Sequence, residues 1–254
     1  MAIPTHAPGH AAPATAEPAP VVLVTGASRG LGLEFVRQYA ADGWSVIACC
    51  RHPASASELA ALAERHGSIR IEALDITNHE QVDALAAKLA GTAIDLLLNN
   101  AGIMGALPFA ENLQRQHLGS LDYKLWEQVF RTNTLGTVKM TEAFLELVAA
   151  SRQKKIISLS STTGSISESQ RPAFAYTSSK TALNKAMTLI AEQLRPRRVI
   201  VTLVCPGYVQ TRMNVGGATL EAGESVRALR TLVAGLTLED SGRFLRYDGK
   251  TIGW

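Results

Sequence analysis

The sequence predicts a single doubly wound α/β domain, a parallel sheet covered by helices on both faces. Three observations carry this reading: short apolar runs begin at Val21, longer amphipathic stretches separate them, and a helical stretch follows nearly every run. Runs apolar along their whole length suit strands buried on both faces. Repeated βα alternation calls for right-handed crossovers and leaves the ligand crevice at the carboxyl ends of the strands.

In chain order the apolar runs are residues 21–25, 45–50, 69–74, 94–98, 155–159, 199–204 and 244–247, which makes seven predicted strands. Helices are expected near 31–41, 55–66, 79–90, 122–150, 173–195 and 222–235. Ahead of them, residues 1–20 are rich in Ala and Pro with Glu17 as the only charged side chain, so they read as a flexible tail before a domain at 21–254. A Met-Ala start with scattered prolines lacks the basic and apolar regions of a signal peptide. His6 and His10 have helical spacing for a metal pair, but Pro8 and Gly9 between them argue against that helix, and no metal is expected. There is no internal repeat and no 18-residue apolar run, so solenoid and membrane-spanning readings drop out.

Composition narrows the function. With 254 residues and 46% hydrophobic content the chain can bury a substantial core. Its net charge of +3, without long charged blocks, is too small to mark a nucleic-acid binder. Three cysteines (Cys49, Cys50 and Cys205) with no CxxC or Cys/His spacing form neither a disulfide framework nor a zinc site, and a cytoplasmic location is expected.

After the first run comes Thr25-Gly26-Ala27-Ser28-Arg29-Gly30-Leu31-Gly32, then a helix. Three glycines allow a sharp turn, close packing and the approach of backbone N–H groups to a pyrophosphate; such turns also occur for packing alone. The same stretch satisfies GxSxG, the strand-to-helix elbow of a hydrolase. That rival fails on order, since Ser28 follows the first strand and no His occurs beyond His117. At the end of the second run, Arg51 is placed to pair with a ribose 2′-phosphate, with Arg29 nearby, which favours NADP over NAD; the alternative is a solvated strand-end arginine. Asp75, ending the third run, either bonds an adenine edge or caps the next helix.

Two further motifs point to an enzyme. Asn99-Asn100-Ala101-Gly102 ends the fourth run, and Tyr176 and Lys180 stand four apart on one face of a predicted helix. Ser160 and Ser161 close the fifth run. TGxxxGxG at 25–32, NNAG at 99–102, Asn133, Ser161, YxxxK at 176–180 and Pro206-Gly207 occur in this order, and with them the chain resembles the short-chain dehydrogenase/reductase family from Val21 onward. The closing stretch 242–254 further resembles the C-factor and sniffer-type carbonyl reductase branch.

The resemblance implies a Rossmann fold and an NADP(H)-dependent oxidoreductase moving hydride between the nicotinamide and a small-molecule carbonyl or secondary alcohol, with a C-factor-type signalling or regulatory role as the alternative. It assigns Tyr176 as the acid or base and Lys180 as a ligand of the nicotinamide ribose. Ser161 becomes the donor to the substrate oxygen, with Ser160 as a rival, and Asn133 the holder of a relay water, unless it is merely a polar group inside a helix. Gly26, Ser28, Arg29, Gly30, Leu31, Gly32, Arg51, Asp75, Ile76, Asn100, Ala101, Gly102, Pro206, Gly207, Val209 and Thr211 join Tyr176 and Lys180 as cofactor contacts. By Coulomb's law, a cation about 4 Å from a phenol at an effective dielectric of about 20 favours phenolate by about 4 kcal/mol, roughly three pKa units before desolvation subtracts. Ser161 and Tyr176 are separated more widely than in the family pattern, so an insertion near 168–171 is expected to line the pocket. The glycine-containing stretch 212–222 is expected to leave the entrance open. Helices near 122–150 and 173–195 are expected to form a homodimer or homotetramer interface by analogy.

Overall fold

Alternate residues of the central strands enter two different cores. In β1 (Val21–Thr25), Val22 and Val24 pack on one face and Leu23 on the other; in β4 (Leu96–Asn99), Leu96 and Leu98 join the first core and Leu97 the second. Burying such a side chain stabilises the fold by about 1.5–3 kcal/mol each. This computed structural model describes residues 17–105, 116–168, 173–211 and 218–254. With β2 (Ser45–Cys50), β3 (Ile69–Ala73), β5 (Lys155–Leu159), β6 (Ile200–Cys205) and β7 (Phe244–Arg246) the strands make one seven-stranded sheet in the order β3-β2-β1-β4-β5-β6-β7. Every neighbouring pair is parallel.

Helices α1 (Gly30–Ala41) and α2 (Ser57–Arg65) cover the first core, contributing Phe35, Tyr39, Leu59 and Leu62. The second core takes Val82 and Leu85 from α3 (His79–Lys88). The predicted helix at 122–150 is α4 (Tyr123–Phe130) and α5 (Thr137–Ala149), joined by a wider π-helical turn at Arg131–Gly136. Asp122 caps α4 by accepting from Leu125 N at 3.0 Å. Helix α6 (Phe174–Leu194) adds Leu183 and Met187 to the second core, and α7 (Ala222–Gly235) adds Val226 and Leu229 to the first.

The chain runs outward from β1 to β3, then crosses to β4 on the other side of β1, so the crevice opens between the carboxyl ends of β1 and β4. No helix among the described residues is long and apolar enough to cross a membrane. His6, His10, residues 169–171 of the expected insertion and residues 212–217 of the expected open stretch lie outside the described residues.

Candidate active site

The glycine turn is built against the loop that follows β4. Thr25 Oγ1 accepts from Asn100 N and Ala101 N, both at 3.0 Å, while Asn100 Nδ2 donates to Thr25 O at 2.7 Å. Gly26 turns with φ +68°, a backbone shape that side chains oppose. At Gly32 an added Cβ would stand 2.2 Å from Gly26 O, so helix α1 can start this close to β1 only with glycine there. At Gly30 an added Cβ would make ordinary contact with Thr211 Cγ2 at 3.8 Å, and the constraint is instead its φ of +56°.

These elements bound a groove of about 2340 Å³, well beyond the roughly 300–1,000 Å³ of common single-ligand pockets. Gly26, Ser28, Arg29, Gly30, Leu31 and Gly32 line one part of it, beside Arg51, Asp75 and Ile76. Asn100, Ala101 and Gly102 form another part, and Pro206, Gly207, Val209 and Thr211 another. Ser161, Tyr176 and Lys180 line it as well. The exposed Arg29 and Arg51 form no ion pair with any described residue, and two cations beside a glycine-rich turn are a donor set that fits a phosphorylated dinucleotide.

Asp75 does not cap α3. Its Oδ1 accepts from Thr77 N at 2.9 Å and from Thr77 Oγ1 at 2.8 Å, and the cap is Asn78, whose Oδ1 accepts from Gln81 N at 3.1 Å.

The other part of the groove is made of buried side chains. Tyr176 and Lys180 share a face of α6, with Lys180 Nζ 5.8 Å from the Tyr176 ring centre. Burial pushes the phenol up to about 12, the neighbouring Cys205 adds to that, and Ser161 offsets part of it. Burial also lowers the Lys180 ammonium to about 8, and its Nζ donates to Leu159 O at 2.8 Å. Desolvation therefore outweighs the downward electrostatic pull on the phenol that the sequence suggests.

Ser160 and Ser161 diverge. Ser160 Oγ donates to Asn184 Oδ1 at 2.6 Å, whereas Ser161 Oγ accepts from Thr163 N at 3.2 Å and Thr163 Oγ1 at 2.9 Å. The Ser160 proton is thus committed to Asn184, while the Ser161 hydroxyl stands at the groove in hydrogen-bonding reach of the Tyr176 phenol. Asn133 stands behind the groove surface in the π-helical turn, fully buried. Its Nδ2 donates to Ile103 O at 2.8 Å and Ser179 Oγ at 3.0 Å, and its Oδ1 accepts from Ile103 N at 2.8 Å.

Two supports are absent from the motifs. Gln116, 1% exposed, donates from Nε2 to Met104 O at 3.1 Å and accepts at Oε1 from Tyr176 N at 3.2 Å, anchoring the first turn of α6. No local signal marks it, because its partner lies 60 residues away. Gly164 lets α6 approach the turn after β5, since a Cβ there would meet Lys180 Cβ at 2.8 Å. Glu168, expected in the pocket wall, instead turns to the end of the sheet and accepts a hydrogen bond from Gly253 N.

A parallel doubly wound sheet with this groove at its switch point defines an α/β protein of the nucleotide-binding type. Residues 20–219 match the short chain dehydrogenase family, and the chain belongs to it. It is 34% identical over 172 residues to C-signal of Myxococcus xanthus, covering 67% of this chain and 99% of that protein. Its fold is similar to the NADPH-bound carbonyl reductase from chicken fatty liver, with TM-score 0.83 and 32% identity over 93% of this chain and 99% of that one. The carbonyl reductase Sniffer of D. melanogaster is similar at TM-score 0.81 and 28% identity, over 93% of this chain and all (100%) of that one.

Proposed function

We propose that this member of the family is an NADP(H)-dependent carbonyl reductase. The observation that carries the reading is the convergence of Ser161, Tyr176 and Lys180 in one groove with the glycine turn and two arginines that lack an ion-pair partner among the described residues. The similarity to the chicken NADPH-bound carbonyl reductase supports it.

Gly26, Ser28, Arg29, Gly30, Leu31 and Gly32 would hold the pyrophosphate, and Arg29 with Arg51 the 2′-phosphate. Asp75 and Ile76 would meet the adenine, Asn100, Ala101 and Gly102 the central part, and Pro206, Gly207, Val209 and Thr211 the carboxamide. When bound, NADPH supplies the hydride that reduces a carbonyl carbon. Tyr176, with its phenol pushed up to about 12, holds its proton at neutral pH and donates it to the carbonyl oxygen. Ser161 donates a hydrogen bond to the same oxygen and fixes its position. Lys180 holds the ribose hydroxyls and places positive charge beside the phenolate left after proton transfer. Asn133 braces the Ile103 backbone and Ser179 behind these groups.

The test is a panel of ketones and aldehydes offered with NADPH and NADH side by side, followed by chiral analysis of the alcohols. Carbonyl-dependent oxidation of NADPH in preference to NADH is the expected result, and no oxidation across the panel overturns the reading. Similarity to C-signal favours a second reading, a signalling protein whose turnover is incidental. That reading predicts partner binding that survives loss of the Tyr176 hydroxyl.

A further inference from the structure

The turn carrying Ser161 is tied to residues 253 and 254 by an unbroken series of hydrogen bonds. Ser161 Oγ accepts from Thr163, and Ser165 N donates to Thr162 O at 3.0 Å, closing the turn. Ser165 Oγ then accepts from Glu168 N at 3.0 Å and contacts Ser167 Oγ at 3.3 Å. Two bonds cross to the far segment: Ser167 N donates to Trp254 O at 2.8 Å, and Gly253 N donates to Glu168 Oε1. A Cβ at Gly253 would lie 2.7 Å from Ser167 Oγ and 2.8 Å from Glu168 Oε1, so the two segments are in close contact.

The far segment is itself fixed to the sheet. The Trp254 ring stacks on Phe244 of β7 at 5.7 Å between centres, and Ile252 N donates to Phe244 O at 2.9 Å. Phe244 is 1% exposed and Ile252 4%, so the anchor is core, whereas Trp254 remains 48% exposed. Residues 161–163 and 173 and 176–177 on either side of the clamped stretch line the groove. None of the residues from Ser165 to Glu168, nor Gly253 or Trp254, does so.

We infer that Gly253 and Trp254 are positioning residues for the carbonyl reduction, bracing from β7 the turn that aims the Ser161 hydroxyl and shapes the substrate wall. This rests on the carbonyl reductase reading of the same groove. The brace acts on substrate rather than on the dinucleotide, because the glycine turn and the loop after β4 are held by their own bonds to Thr25 and Asn100.

The experiment compares Trp254→Ala, Trp254→Phe and Gly253→Pro, the last removing the N–H that Glu168 accepts, with the wild-type chain. Trp254→Ala and Gly253→Pro should raise KM for a bulky ketone about tenfold relative to a small aldehyde while leaving the Kd for NADPH unchanged, and Trp254→Phe should restore the wild-type ratio. Hydrogen exchange should quicken at residues 162–168 and stay unchanged at residues 26–32. A wild-type ratio of the two KM values in variants whose exchange has quickened overturns the brace alone. Equal loss for both substrates together with weakened NADPH binding also overturns it, as general destabilisation. A wild-type chain that turns over no carbonyl overturns the reading beneath it, and the brace with it.

Discussion

The two parts of the groove are built differently. Where the glycine turn meets the loop after β4, the fit depends on backbone: a positive φ at Gly26, the missing Cβ of Gly32, and main-chain groups bonded to Thr25 and Asn100. Around Tyr176 and Lys180 it depends on buried side chains: Gln116 and Asn133, from separate stretches, bond Tyr176 N and Ser179 at the start of α6, Ser161 bears on the phenol, and Asn184 of α6 itself holds Ser160. A backbone-built surface reads shape and phosphate, and leaves the choice between dinucleotides to the few charged side chains at its edge. A buried side-chain cluster sets protonation states, and a single atom matters there.

That contrast is sharpest at the phenol. Tyr176→Phe removes one oxygen from the side-chain cluster and leaves the glycine turn intact. Carbonyl-dependent NADPH oxidation should fall by about 10²–10⁴-fold, the range for loss of a positioned acid, with NADPH affinity within about twofold of wild type. Steady-state turnover alongside fluorescence titration with NADPH checks both halves. Turnover at the wild-type level would remove Tyr176 from the proton pathway and leave the comparison without its chemical side.

The opposite manipulation is Arg51→Asp. Exchanging a charge-assisted donor for a carboxylate removes a contact of about 1.5–3 kcal/mol and adds an acceptor suited to a ribose hydroxyl, so the NADPH to NADH ratio of kcat/KM should shift by about 10- to 100-fold toward NADH. The kcat with saturating NADH should hardly change, because nothing moves around Tyr176. An unaltered ratio would mean that Arg51 is only a solvated strand-end cation.

The same division explains what could be read from the sequence. All seven strands and their helices were legible because strands buried on both faces are apolar throughout and the helices between them are amphipathic. The glycine turn was legible because its steric demands are written within eight consecutive residues. Tyr176 and Lys180 were legible as a pair because helical spacing puts them on one face. Hidden were the π-helical turn at Arg131–Gly136, inside what reads as one long helix, and the bonds from Gln116 to the start of α6. Neither has a local signature: a wider turn costs little in composition, and a buried amide declares itself only through a partner far along the chain. Protonation was hidden for a related reason. Charge spacing predicts attraction between Lys180 and the phenol, but only the packed surroundings reveal that desolvation governs both groups.

Desolvation makes the smallest of these effects measurable as a divergence between stability and activity. Burial lowers Lys180 from 10.5 to about 8, so between those values the unfolded chain holds a proton that the free native enzyme has released. Stability rises with pH wherever the unfolded state binds more protons, so the Lys180 contribution should grow as pH climbs from about 8 toward 10. Tyr176, raised from 10.0 to about 12, acts in the other direction, but only above about 10, where the unfolded phenol ionises first. Activity should do the reverse of stability in the lower window. If the charged ammonium receives the dinucleotide, kcat/KM with NADPH as the varied substrate should decline above about pH 8 and reach roughly one tenth of its plateau near pH 9, since this parameter reports the free enzyme. Denaturant titrations at pH 7 and 9.5 on wild type and Lys180→Met separate the two, because the gain in stability between these pH values should be smaller in the variant by the Lys180 share, with Lys155 and the buried cysteines contributing alike to both chains. A profile flat through pH 9 would mean that the ammonium charge does not contribute to binding, and would move the burden of holding the ribose to neighbouring backbone.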